Sequence, residues 1–228
     1  MNKNTNEPKI TDEKKEKSKR MKRMRGMFGS LFPQKYDFVG MLVEQAENTV
    51  TGMEAYIAWV NQDIPIPPDN LIKIGGELDV LRYTLEARLM EAFSTPFSRQ
   101  DIYTLSRNID YVMDYAVEIA REMYAFDVNP DEHIRAMSLS LLYGTRYVVE
   151  GTRYLGMEKA GVEVSIRNGR MHIHAIEDTY IACMADLFKT DDVMDAMKKR
   201  EIYYLLRNAG KALSVTLDII HKSVVGQA

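Results

Sequence analysis

The chain has 228 residues, 46% of them apolar and 28% charged, which allows one domain or two small ones and excludes a mostly disordered protein. Its one cysteine, Cys183, excludes an internal disulfide and a cysteine-based zinc site, as expected for a reducing compartment. No apolar run reaches about 18 residues, so we expect no transmembrane helix, and no apolar stretch follows the basic N-terminus, so we expect no secretory signal.

The formal net charge of −3 hides an uneven distribution. Residues 1–35 contain 11 Lys/Arg and 4 Asp/Glu, whereas the remaining residues contain 19 and 29. The sequence therefore predicts a basic, partly disordered N-terminal arm over residues 1–35, followed by an acidic body. Nucleic acid is disfavoured as a partner because its phosphates would meet this negative body.

Within the arm, residues 21–32 alternate basic and apolar side chains at roughly helical spacing. Such a basic amphipathic segment is typical of contact with an anionic membrane surface or with a partner. The candidate contact residues are Lys22, Arg23, Arg25 and Phe28. A solubilising tail is the alternative interpretation.

From Tyr36 onward, apolar residues recur at steps of three and four, which predicts six helices. The first two span about 36–61 and 69–93, separated by a proline cluster. The third begins at a capping box of Ser98 and Asp101, and the fourth opens at 129–132. Gly156, Gly161 and Gly169 predict a loop or short hairpin, followed by helices over about 172–188 and 191–225.

Residues 101–120 and 201–220 repeat one another at an offset of 100, with six identities and with both apolar seams aligned. We interpret this repeat as a duplication. The predicted fold is all-α, with two antiparallel three-helix bundles related by a pseudo-twofold axis and packed as one unit. The first bundle would cover 36–128 and the second 129–228.

One block carries a family resemblance. The sequence TPFSRQDIY at 95–103, followed by Asp110 and Asp114, resembles the signature of the PhoU-like Pit accessory proteins, also called phosphate transport regulators. The segments 32–38, 186–188 and 201–206 resemble other parts of that family, so the resemblance covers about residues 30–225. It implies a PhoU-like pair of bundles. It also implies a cytoplasmic regulator of inorganic phosphate transport that docks on a Pit-type phosphate permease at the inner face of the membrane.

The best metal candidates are Asp110 and Asp114, because a spacing of four places both carboxylates on one helix face. With Ile109 and Val112 in the seam, both are expected to point outward, and Asp79 would complete the set. Carboxylates suit divalent cations such as Mg²⁺ or Ca²⁺ and also iron or manganese. Some members of the resembled family bind metal clusters through such acidic motifs. A solvated helix face is the alternative.

The second acidic set of that family is missing from the last helix. The corresponding stretch offers Arg207, Gly210, Lys211 and Ser214. At most the first bundle would therefore hold a metal, and a metal-binding bundle remains an alternative function. A structural scaffold that forms homo-oligomers is another.

Catalysis has no support in the sequence, which lacks a phosphate loop, a dinucleotide fingerprint and a nucleophile motif. Cys183 lies in an apolar helical stretch and is expected to be a buried, inert thiol. His172 and His174, two residues apart, are expected to be surface histidines near a strand edge. We therefore expect a binding protein and not an enzyme.

Overall fold

All six segments that the apolar spacing predicts are helical in the computed structural model, which describes residues 35–62, 64–157 and 159–225. The helices are α1 Phe38–Val60, α2 Asp69–Glu91, α3 Arg99–Phe126, α4 Glu132–Arg153, α5 Lys159–Leu187 and α6 Val193–Val225. Within the described ranges no strand accompanies them, and the prediction of an all-α fold is confirmed.

Side-chain caps begin four of the helices, among them α6, where Asp192 accepts a hydrogen bond from the Asp195 amide at 3.0 Å. The Asp37 carboxylate accepts a hydrogen bond from the Gly40 amide at 2.9 Å before α1, and Asp131 accepts one from the Ile134 amide at 2.9 Å before α4. Ser98 caps α3, as its sequence predicts, with 3.4 Å between Oγ and the Asp101 nitrogen. These caps satisfy amide groups that have no partner within the first helical turn.

The predicted loop or hairpin over Gly156, Gly161 and Gly169 is wrong for the last two residues. Only Gly156 lies in a turn, with a φ of 78°, because α5 begins at Lys159 and contains both other glycines. A Cβ at position 169 would lie 2.6 Å from Cδ1 of Leu217 on α6. This glycine therefore allows two helices to approach closely, and the packing outweighs its low helix propensity.

The helices group in two sets of three. Helices α1, α2 and α3 contact one another, as do α4, α5 and α6, and the sets join where α1 meets α4 and α3 meets α6. All six helices belong to one compact unit. The arrangement agrees with two bundles related by a pseudo-twofold axis, while the bundle limits of 36–128 and 129–228 stay a prediction.

The two halves also match in their helix contacts. A glycine on the first or second helix of each half faces an apolar side chain on the third, and the third-helix partners are 100 positions apart. The matched contacts are Gly52 with Met113 and Gly144 with Leu213, then Gly75 with Val117 and Gly169 with Leu217. The second helices therefore correspond at an offset of 94, and the duplication reaches the packing of individual side chains.

Polar groups buried at the junction of the two halves are paired. The Tyr56 hydroxyl of α1 lies 3.0 Å from the Ser138 hydroxyl of α4, and burial raises the pKa of Tyr56. In the described part of the chain, no buried side-chain nitrogen or oxygen lacks a hydrogen-bond partner. The core is thus polar only where pairing compensates the loss of water.

Candidate functional site

A buried arginine on α2 lies at the centre of the acidic group to which the sequence points. Arg82 is 3% exposed, and its guanidinium donates to Asp110 Oδ2 at 2.5 Å, to Asp79 Oδ1 at 2.5 Å and to Glu86 Oε1 at 3.0 Å. Burial acts to lower the pKa of Arg82, but its hydrogen bonds and the nearby charges raise that pKa above its ordinary value. The cation therefore joins two acids of α2 to one acid of α3.

The structure contradicts the predicted outward orientation of Asp110. This residue is 3% exposed and faces α2, because α3 packs against α1, α2 and α6 and buries more than the single seam through Ile109. Burial and the like charge of Asp114 raise the pKa of Asp110 to about 6, although Arg82 opposes this shift. Asp114 itself is exposed, as the sequence predicts.

An acidic strip runs along the outer side of α3. We use this name for Asp114, Glu118 and Glu122; the first two line a surface groove of about 270 Å³ together with Tyr111 and Tyr115. Partial burial and then Asp79 raise the pKa of Asp114. Partial burial and then two acids, Glu118 and Glu201, raise the pKa of Glu122. Like charges are thus held close together here, and a cationic partner would relieve their repulsion.

Asp79 and Asp110 do come together, as the metal hypothesis requires, but they meet around a guanidinium. Their oxygens accept hydrogen bonds from Arg82, and a divalent ion placed between them would have to displace that buried cation. Among the described residues, no three or more His, Cys, Asp or Glu side chains are arranged to hold a metal ion. The donor set does not fit a metal, and the assignment of Asp79, Asp110 and Asp114 as ligands stays a prediction from sequence.

Sequence reasoning missed Arg82, although a signal was present. The buried positions of α2 are Leu71, Leu78, Arg82, Leu85 and Leu89, so the arginine occupies a seam position. A charged residue is almost never buried without a partner. The acids three residues before it and four residues after it supply two of these partners.

The second half replaces this ion pair by an apolar contact. At the position that corresponds to Asp110, α6 carries Gly210, and Ile176 of α5 occupies the place of Arg82. A Cβ at Gly210 would lie 3.2 Å from Cγ2 of Ile176. Arg207, also on α6, instead pairs with Glu177 at 3.1 Å near the surface. Helices α5 and α6, where the last helix lacks these acids, therefore pack through an apolar contact, whereas α2 and α3 pack through an ion pair.

Two other sequence expectations have clear outcomes. His172 and His174 do not flank a strand, because residues 159–187 form one continuous helix. The His172 ring stacks on Tyr143 and Tyr147, with centroids 5.3 Å and 5.7 Å away, and burial lowers the pKa of its imidazole. Cys183 is buried, as predicted, and burial raises the pKa of its thiol to about 11.

The arm residues Lys22, Arg23, Arg25 and Phe28 lie outside the described residues, and their proposed contacts remain predictions. In the part of the chain that the structure covers, none of the helices combines the length and the apolar character needed to cross a membrane.

No protein-family model matches the chain, and no curated protein sequence matches it at a significant level. Solved structures do resemble it. One is a PhoU-like phosphate regulatory protein from Shewanella oneidensis MR-1, with a TM-score of 0.54, 14% identity and coverage of 83% of this chain and 96% of that chain. Another is the phosphate transport system regulatory protein PhoU from Streptococcus pneumoniae, with a TM-score of 0.48, 12% identity and coverage of 83% and 92%.

The chain has a PhoU-like fold. The first of these likenesses carries this conclusion, since it spans nearly the whole of the Shewanella protein. At 14% identity it shows the fold alone, and the fold expected from the sequence is confirmed.

Replacing Arg82 tests the energetic role of the ion pair. Arg82→Ile leaves Asp110 buried without its cation, so we expect the free energy of unfolding at pH 7 to fall by about 3–5 kcal/mol. Arg82→Ile with Asp110→Gly recreates the Ile176–Gly210 contact and should recover all but about 1 kcal/mol, the remainder reflecting the lower helix propensities of isoleucine and glycine. Urea denaturation followed by circular dichroism measures both changes.

Arg146→Ile, which breaks an exposed pair with Glu54, is the control and should cost under about 1 kcal/mol. A double variant as unstable as Arg82→Ile would contradict this account.

The pKa of Asp110 predicts a pH dependence of stability. Because its folded-state pKa of about 6 lies above the ordinary value of 3.8, the folded protein binds this proton more tightly than the unfolded chain. The resulting stabilisation is complete below pH 3.8 and is lost as the pH rises through about 6. We therefore expect Asp110→Asn to flatten the decline of unfolding free energy across this range. The exposed Asp178→Asn serves as the control; an unchanged slope in Asp110→Asn would refute the assignment.

Proposed function

We propose that this protein is a non-enzymatic regulator of inorganic phosphate transport, which docks on a Pit-type phosphate permease at the cytoplasmic face of the membrane. The observation that supports it most is the shared fold with the PhoU-like phosphate regulatory protein from Shewanella, over 96% of that chain. The sequence block at 95–114 supports it independently through its resemblance to the accessory proteins of Pit permeases.

The surface charge of the body suits such a partner. The cytoplasmic loops of membrane proteins carry an excess of lysine and arginine. The acidic strip of α3 holds three carboxylates close together, and the raised pKa values of Asp114 and Glu122 reflect their neighbouring acids as well as partial burial. Basic loops of a permease would meet favourable charge along this strip.

The N-terminal arm would bring the protein to the membrane. Each basic residue near an anionic leaflet contributes about 1 kcal/mol, and the apolar side chains of the same segment add to that. Lys22, Arg23, Arg25 and Phe28 would make these contacts. The arm would raise the local concentration of the body beside the permease, and the body would supply specificity.

Capture from native membranes tests the docking. We expect crosslinked full-length protein to enrich a phosphate permease, identified by mass spectrometry, and the yield to differ between low and high phosphate. Reversing two charges of the acidic strip, in Glu118→Lys with Glu122→Lys, should reduce the yield several-fold. The matched control reverses two exposed acids elsewhere, in Glu150→Lys with Asp178→Lys. Recovery of soluble proteins alone would refute the proposed function, and equal loss in both double variants would refute the role of the strip.

Removal of the arm tests the membrane contact. Deleting residues 1–32 should lower partition into vesicles rich in phosphatidylglycerol, because the deletion removes 10 of the 11 Lys/Arg residues of the arm together with the amphipathic segment. Co-sedimentation measures this partition, and neutral phosphatidylcholine vesicles provide the reference. Unchanged binding to the anionic vesicles would eliminate the arm as the membrane contact.

A further inference from the structure

The outer side of α2 carries a row of exposed apolar residues. Helix α2 packs on α1 and α3, and the row is exposed to solvent, although Met90 at its end lines a groove with Arg99 and Tyr103 of α3. We call it the α2 stripe; it consists of Ile72, Gly76, Val80, Tyr83, Ala87 and Met90. Val80, Tyr83 and Met90 are 62%, 58% and 80% exposed. Steps of four and three residues along the helix are the spacing of a surface that packs against another helix.

The matching helix of the second half interrupts this row at its centre. At an offset of 94, Gly76, Val80 and Tyr83 correspond to Arg170, His174 and Glu177 on α5, whereas the remaining three positions correspond to Ile166, Ile181 and Met184. The continuous apolar stripe is therefore a property of the first half, and exposed apolar rows mark interaction surfaces.

The stripe is complementary to itself when two copies run antiparallel. If the twofold axis passes between residues 81 and 82, each stripe position meets a residue of suitable size on the other copy. The facing pairs are Ile72 with Met90, Gly76 with Ala87, and Val80 with Tyr83. Large side chains meet large ones at both ends and at the centre, and small ones meet between them, where the helices approach closely. A twofold interface makes each of these contacts twice.

The charges along one edge of the stripe follow the same symmetry. In an antiparallel pair, Lys73 of one copy faces Glu91 of the other, and Glu77 faces Arg88. Within one chain these four residues form exposed pairs, Lys73 with Glu77 at 3.6 Å and Arg88 with Glu91 at 3.1 Å, and Glu91 also accepts a hydrogen bond from the Tyr36 hydroxyl at 2.7 Å. In a parallel twofold pair this edge would instead face the edge of the other copy that carries Asp79 and Glu86, and its own glutamates would meet like charges. The charge pattern therefore favours the antiparallel orientation.

The opposite edge of the stripe carries Asp79 and Glu86. In the same antiparallel pair, Asp79 of one copy would lie near Glu86 of the other. Both carboxylates accept hydrogen bonds from Arg82 of their own chain. The buried guanidinium thus reduces the repulsion that these acids would otherwise cause between two copies.

We propose that the α2 stripe is a dimerisation surface, on which a second copy of this chain packs its own α2 in antiparallel orientation. The size pairing and the charge pairing support it independently, since they involve different residues. The dimer would remove Val80, Tyr83 and Met90 from water, and it would leave the acidic strip of α3 outside the helix pair.

The molar mass of the full chain in solution tests the proposal. We expect a dimer at tens of micromolar by light scattering after gel filtration. Val80→Lys places two lysines near the twofold axis and should weaken the dimer at least about tenfold. Val215→Lys, at a position that is 46% exposed on α6, is the matched control and should leave the mass unchanged. A wild-type monomer, or a dimer that Val80→Lys leaves intact, would overturn the proposal.

A charge exchange tests the orientation. Glu77→Arg places an arginine opposite Arg88 at two symmetric points and should weaken the dimer about tenfold. Adding Arg88→Glu in the same chain restores opposite charges across the axis and should restore the dimer. Circular dichroism confirms that each variant remains folded. A double variant that associates no better than Glu77→Arg would overturn the antiparallel arrangement, as would crosslinks between identical α2 positions along the whole helix.

Discussion

The buried contact between Arg82 and Asp110 determines where α2 lies. This helix packs only on one side, against α1 and α3, and its outer side carries exposed apolar residues. A guanidinium that is 3% exposed fixes the rotation of α2 about its own axis, since any turn would break its charged hydrogen bond to Asp110 on α3 and leave both groups buried without a partner. The outward orientation of the α2 stripe follows from that rotation.

The duplicated halves show that this ion pair is a choice and not a requirement of the fold. Helices α5 and α6 pack in the same way around Ile176 and Gly210, without charge. Replacing a buried pair by apolar residues is often neutral for stability, so stability alone does not explain why the first half keeps it. The surface of the first half explains why the ion pair is kept. This surface carries acids beside an apolar stripe, and Arg82 binds two of them, Asp79 and Glu86, at the edge of that stripe.

Much of the fold could be predicted from the sequence, because six segments with a regular apolar spacing leave few alternatives to a helical bundle. The failures have physical causes. Gly161 and Gly169 read as helix breakers, whereas close helix packing favours them, and packing partners are invisible in a local pattern. Asp110 read as exposed because one seam was assigned to a helix that packs against three others. Arg82 was overlooked, although a charge in an apolar seam predicts a buried partner.

The fold by itself does not determine the function, since one fold serves many roles and surfaces decide between them. Here the two surfaces with unusual chemistry both belong to the first half, and one buried cation connects them. Arg82 pairs with Asp110 in the core, so this pair adds no net charge to the surface. The same guanidinium also neutralises two acids beside the α2 stripe. Asp114, one turn beyond Asp110, keeps its carboxylate exposed in the acidic strip. If the two halves diverged at these positions, the first half would bind a second copy and a cationic partner, while the second half would only support the fold.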